Sequence, residues 1–195
     1  MFYLTLHGET EWNRERRFQG QLDSPLTDRG VEQAHRMGAT LRELLGDSTG
    51  CTIVSSQLGR ARSTAEIICE VLGMPSSVIE TDARLAEINL GSWAGMTRDE
   101  VAARWPGVLD QSGRYDWYFR SPGGETFDAI SSRVSQWLSE TAKRERMIAV
   151  AHGVTSRILR GLYGGIAKAA ALELEVSRDV VFRLHDGSID RIPCE

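Results

Sequence analysis

The sequence is poor in cysteine, with only Cys51, Cys69 and Cys194 in 195 residues. They are odd in number, widely spaced and outside any CxxC or Cys/His pattern, which argues against a disulfide framework or a zinc site. Cys51 and Cys69 read as small apolar core residues. Positive charge is not in excess either: 23 Lys and Arg against 27 Asp and Glu give a net charge of −4. No bulk electrostatic signal favours nucleic acid or an anionic membrane, so an anionic ligand must be drawn in by a few placed cations. No apolar run approaches the ~20 residues of a membrane span. The opening residues, Met1 to Leu6, lack the basic n-region and the length of a secretion signal. A cytoplasmic location is the expectation. Repeats, low-complexity segments and linkers are also lacking, so residues 1–195 are expected to form one domain.

What is there is an alternation of short β-prone runs with amphipathic stretches. Phe2–Leu6 reads as a strand, and Arg14–Pro25 as a loop. Thr27 caps a predicted helix over Asp28–Leu45, with Val31, Ala34, Leu41 and Leu44 on its apolar face. Cys51–Ser55 predicts a strand leading into a helix over Arg60–Leu72, which Gly73 ends. Ser77–Glu80 predicts a short third strand. Thr97 and Glu100 have the spacing of a capping box. Residues 107–124 lack periodicity but hold Tyr115, Trp117, Tyr118 and Phe119, and read as a packed insertion. A helix is expected over Glu125–Lys143, a strand over Met147–Ala151 and another helix over Gly153–Leu162. Asp186-Gly187 between two apolar runs signals a hairpin. The pattern predicts an α/β three-layer sandwich: a mostly parallel open sheet, helices on both faces, and an antiparallel C-terminal hairpin.

Two places share one layout. His7-Gly8 and His152-Gly153 each follow a predicted strand, where ligands bind in parallel α/β sheets. A glycine after each histidine lets another group approach the backbone. Arg60 opens the helix after the second strand, where free amides and the dipole suit an anion and a guanidinium can fork onto phosphate oxygens. Glu87 lies among apolar neighbours, where partial burial would suit it to proton transfer. Asn13, Gln19 and Gly20, in the loop after His7, are read either as phosphate-side donors or as turn residues. His35 and His185 read as surface residues.

In this order the pieces resemble the histidine phosphatase superfamily, the phosphoglycerate-mutase-like group. They are His7-Gly8-Glu9-Thr10-x-x-Asn13, Pro25-Leu26-Thr27-x-x-Gly30-x-x-Gln33-Ala34 and Ser56-x-Leu58-x-Arg60-Ala61. Glu87-x-x-x-Gly91-x-Trp93-x-Gly95, Pro122-Gly123-Gly124-Glu125 and Ala151-His152-Gly153 follow. The resemblance implies that His7 attacks phosphorus and carries the phosphoryl group as a phosphohistidine. It implies that Arg60 and His152 clamp the phosphate, and that Glu87 protonates the leaving alkoxide and then activates water. Asn13 would touch a phosphate oxygen, with Gln19 and Gly20 lining the substrate side. It implies no metal and no cofactor.

One position departs from the family pattern. The residue before the nucleophilic histidine is normally arginine and here is Leu6. A hydrogen bond to a charged group contributes about 1.5–3 kcal/mol, so one lost contact lowers the rate roughly 10- to 100-fold. Arg14, Arg16 and Arg17 are the nearby residues that could compensate. The leading expectation is a metal-independent phosphatase of a small phosphorylated metabolite. The alternatives are an impaired member that binds a phosphorylated ligand or protein partner, and a phosphoglycerate mutase. The mutase is disfavoured because Arg114 is the one cation in the 107–119 stretch. The aromatic insertion reads as substrate wall or as subunit interface, which leaves a homodimer open.

Overall fold

In a computed structural model that describes residues 1–110, 116–141, 144 and 146–195, six strands share one sheet. They are β1 (Phe2–Leu6), β2 (Thr52–Ser55), β3 (Ile79–Thr81), β4 (Met147–Ala151), β5 (Val180–His185) and β6 (Ser188–Pro193), in the order β3-β2-β4-β1-β5-β6. β1, β2, β3 and β4 pair in parallel, whereas β5 runs antiparallel to β1 and to β6. The expected architecture is therefore the one found.

Both faces of the sheet are covered, which is why the central strands are apolar throughout. Leu4, Val54, Met147, Ala149 and Ala151 join one core, while Tyr3, Ile53, Ile148 and Val150 join the other. This is the two-residue alternation of a strand read off both sides. The helices α2 (Asp28–Leu45) and α3 (Gly59–Leu72) close the second core through Met37, Leu41, Ala61, Ala65 and Ile68. The helices α5 (Phe127–Thr141) and α6 (Gly153–Tyr163) close the first through Ile130, Val134, Trp137 and Ile158.

Local signals set several boundaries. Thr27 accepts from the Gly30 amide and starts α2. Thr97 and Glu100 form the capping box of α4 (Arg98–Arg104). Gly73, at φ 68°, ends α3 and donates to Cys69 and Glu70 carbonyls. Asp186 and Gly187, at φ 47° and 76°, make the β5–β6 turn, as a two-residue hairpin with both central residues at positive φ requires.

Other expectations shift. Val31 is exposed, and Met37 takes its expected place on the buried face of α2. The third strand begins only at Ile79, after a 3-10 turn over Ser76–Val78. The helix expected from Glu125 begins at Phe127, because the Glu125 amide donates to Asn89 O and its carboxylate pairs with Arg133. Its expected end at Lys143, and Arg114 and Tyr115 of the insertion, lie outside the described residues. Two short helices carried no sequence signal that was read: α1 (Glu11–Arg14), held by a Thr10–Asn13 capping box, and α7 (Lys168–Leu172). Among the described residues, no helix is long and apolar enough to cross a membrane.

Candidate active site

The parallel pairing of β1, β2 and β4 brings their carboxyl ends to one edge, so His7, Arg60 and His152 converge there although far apart in sequence. His7 is 5% exposed and His152 fully buried, with ring centroids 5.1 Å apart. His7 Nδ1 lies 2.7 Å from the Gly8 carbonyl, which can only accept, so Nδ1 carries the proton. Arg60 Nε–H, which can only donate, points at His7 Nε2 from 3.3 Å. Both contacts select one neutral tautomer, with its lone pair on Nε2. Burial, then the charges of Arg60 and Arg178, hold the His7 pKa well below its ordinary value, against the Gly8 hydrogen bond. Burial, then Arg60, does the same to His152. Neither ring nitrogen of His152 has a hydrogen-bond partner among the described residues. Buried polar atoms are seldom left that way, and such an exception calls for an explanation.

Arg60 lies in the first turn of α3, and its side chain is 1% exposed. Nη1 donates to Leu22 O (2.7 Å) and Asp23 Oδ1 (3.1 Å), and Nη2 to Gly20 O (2.7 Å). With the bond to His7, four of its five N–H groups are engaged. Desolvation lowers its pKa, and Glu87 and Asp23 oppose that. The expected anion site at the α3 amino end is corrected here. Asp23 Oδ1 already accepts from the Arg60 amide at 3.2 Å, so a carboxylate of the chain itself occupies that end.

Glu87 does the same at α6. Its Oε1 accepts from the Ile88 amide, the Thr155 amide and Thr155 Oγ1, all within 3.1 Å. Its Oε2 accepts from the Val154 amide at 3.1 Å. Oε2 thus has the fewer partners, and it is the oxygen nearer Gly153. Arg133 of α5 donates to the Arg84 and Glu87 carbonyls and holds this loop in place.

These groups border a cavity of about 240 Å³. His7, Asn13, Gln19, Gly20, Arg60, Glu87 and Gly153 all line it; His152 does not, its ring lying next to that of His7. Asn13 Oδ1 accepts from the Thr10 amide and hydroxyl, which leaves Nδ2 as the group it can offer. Gln19 Nε2 donates to Thr10 Oγ1 at 2.7 Å. Gly8 is not on the wall. A Cβ there would lie 2.2 Å from Gly30 O, so the close approach its glycine permits is to α2 rather than to a ligand. Phe18 and Tyr118 form an aromatic wall, both packed on buried Trp117 with centroids 4.9 and 3.9 Å away. Of the described aromatics of the insertion, Tyr118 lines the cavity and Trp117 backs it.

The suggested compensating arginines divide. Arg14 pairs with Glu11 and is exposed, and Arg16 is exposed at φ 57°. Arg17 lines the cavity but bonds Gly95 O, Glu15 and Glu100. Sequence reading missed Arg178, which also lines it. Leu4 pairs with Phe182 antiparallel, so the chain just ahead of β5 arrives beside the end of β1. Gln33 of α2, 3% exposed, ties the two loops together: Oε1 accepts from the Glu9 amide at 2.9 Å, and Nε2 donates to Asp179.

A model of the histidine phosphatase superfamily (branch 1) matches residues 2–185. The chain is 38% identical over 196 residues to "Probable phosphoglycerate mutase GpmB" of Salmonella paratyphi B, covering 97% of this chain and 83% of that protein. It superposes on Bacillus stearothermophilus YhfR with a TM-score of 0.80 at 31% identity, covering 98% and 95% of the two chains. A mycobacterial glucosyl-3-phosphoglycerate phosphatase, solved as a complex with VO3, gives a TM-score of 0.77 at 27% identity, covering 98% and 96%.

Proposed function

This chain belongs to the histidine phosphatase superfamily, branch 1, and from that premise we propose that it hydrolyses a small phosphomonoester without a metal, through a phosphohistidine at His7. The observation that carries the reading is the neutral His7 tautomer, with the Nε2 lone pair turned toward the guanidinium of Arg60.

In the first step Nε2 forms a bond to phosphorus as the ester P–O bond breaks. Arg60 Nε–H turns from the lone pair to a phosphate oxygen as the substrate enters. Glu87 Oε2 gives the leaving alkoxide its proton. In the second step Glu87 takes a proton from water, whose oxygen attacks phosphorus. The P–N bond breaks, phosphate leaves and the lone pair returns to Nε2. His152, with both ring nitrogens unpartnered among the described residues, donates to a phosphate oxygen. Such a site works by positioning and by charge placed where the transition state needs it. The Phe18–Tyr118 wall accepts the organic part of the ester.

The test is turnover of an aryl phosphate in the presence of a chelator, with His7→Ala as control, and capture of label on His7. Wild type no faster than His7→Ala at high enzyme concentration would leave a phosphate-binding protein instead.

A mutase is the second reading. The Salmonella relative's name raises it, and so do Arg17 and Arg157, which line the cavity from outside the insertion. Cations for a second acidic group therefore do not depend on Arg114. Interconversion of phosphoglycerates with no net release of phosphate would favour it over hydrolysis.

A further inference from the structure

We propose that Arg178 is the arginine that grips the phosphoryl group during transfer, the role that Arg60 is too heavily engaged to fill alone. The inference rests on the phosphatase reading above for its chemistry, but on separate observations for its residue.

A phosphoryl group in flight spreads charge over three equatorial oxygens, which must each find a donor. The usual sources at a strand-end site are helix amides and guanidinium forks. Here several of these amides are already bonded by chain carboxylates, that of Arg60 by Asp23 at α3 and those of Val154 and Thr155 by Glu87 at α6. Arg60 has one N–H left beyond those bound to His7, Leu22, Asp23 and Gly20. Arg17 and Arg157 line the cavity with donors committed to carbonyls, to Gly95 O and Leu174 O.

Arg178 differs from all of these. It lines the same cavity as His7, Arg60 and Glu87. Its Nε is buried with no acceptor among the described residues. Its charge reaches His7, His152 and Arg60. The neighbouring residue explains why it points there. Asp179 is held against α2 by Arg36 at 2.7 Å and by Gln33, and its amide donates to Ser177 Oγ at 3.2 Å. Val176 and Arg178 are the residues of this stretch on the cavity side. Burial and the charge of Arg60 work against this guanidinium, the charges of Glu9, Asp179 and Glu87 oppose them, and still no acceptor meets its Nε among the described residues. An anion in the cavity resolves it, and brings an unused planar fork to two phosphate oxygens.

The experiment is calorimetric titration of orthovanadate and of inorganic phosphate into wild type, Arg178→Gln and Arg178→Lys, beside aryl phosphate turnover. Arg178→Gln is expected to lose about ten- to a hundredfold in vanadate affinity and in kcat/KM, with a smaller loss for phosphate. Arg178→Lys keeps the charge without the fork and is expected to fall between. Free guanidinium should partly restore turnover of Arg178→Gln, which a residue acting only in folding would not permit. Vanadate affinity within twofold of wild type in the folded Gln variant overturns the assignment. If that variant does not fold, unchanged vanadate affinity in Arg178→Lys, with kcat and KM also unchanged, overturns it equally. Should wild type not exceed His7→Ala in turnover, the phosphatase reading fails. The vanadate titration then still decides whether Arg178 holds the anion.

Discussion

The two His-Gly turns look alike in sequence and are built for opposite purposes. At the end of β1, His7 has both ring nitrogens engaged, one on the Gly8 carbonyl and one under Arg60. Gly8 there is closed off by the Gly30 backbone. At the end of β4, His152 has neither nitrogen engaged among the described residues. Gly153 faces the cavity, 3.7 Å in Cβ reach from Glu87 Oε2. The contacts of the first ring select a tautomer, and those of the second leave both its nitrogens unpartnered among the described residues. On the proposed mechanism, identical dipeptides at equivalent strand ends divide into a nucleophile and a phosphate donor.

The largest test of that division is removal of each ring. His7→Ala is expected to lower aryl phosphate turnover by about 10⁴-fold or more, since losing a nucleophile removes the covalent path. His152→Gln should cost less, on the order of 10²–10³-fold, the scale of a lost transition-state donor. Equal losses in both variants would collapse the distinction.

The glycines give the next comparison, in stability. Gly8→Ala forces backbone apart and should cost about 1–3 kcal/mol, the range of overpacking. Gly153→Ala has one tight contact, Val176 Cγ1 at 3.3 Å, and should change the denaturation midpoint much less. A midpoint for Gly8→Ala matching wild type would show that α2 can yield.

Leu6 offers a smaller effect. Leu6→Arg in wild type adds a cation where Arg60 and Arg178 already repel each other. In the Arg178→Ala background the same change should raise kcat/KM by about tenfold. A larger gain in wild type than in that background would mean that the two positions do not share a function.

The last lever is pH. Both histidine pKa values are depressed in the folded chain. Above about pH 6.5, the ordinary histidine value, folded and unfolded forms are both neutral there. As pH falls below it, the unfolded chain takes up protons that the folded chain refuses. Stability therefore declines by about 1.4 kcal/mol per pH unit for each such histidine until its folded pKa is passed. Denaturant melts of wild type and His152→Gln between pH 7 and 5 should show a shallower slope in the variant.

Much of this was legible from local chemistry. The capping box at Thr97, the stop at Gly73 and the Asp186-Gly187 turn each depend on a few adjacent residues, and each stands where the sequence puts it. His7, Arg60 and His152 could be singled out because strand ends and helix starts are themselves local features, whereas Glu87 drew its expected role from the family resemblance. Arg178 was not. It sits 171 positions from His7 and reaches it only because β5 runs antiparallel beside β1, a choice made by the whole sheet. The one available cue was an arginine just before an apolar strand. Asp23 was missed for a similar reason, since its partner is the amide of Arg60 across a loop. The helix-end anion sites were misjudged because sequence shows free amides but not the carboxylate that folds onto them.

Gln33 makes the last point. One buried amide joins the Glu9 backbone, two residues past His7, to Asp179, next to Arg178. It ties together the two arms that would meet on phosphorus in the proposed mechanism. Shortening it, as in Gln33→Ala, would leave every charged group in place and let the arms drift independently. If the proposed roles hold, the gap between attacker and grip depends in part on a residue that does not line the cavity.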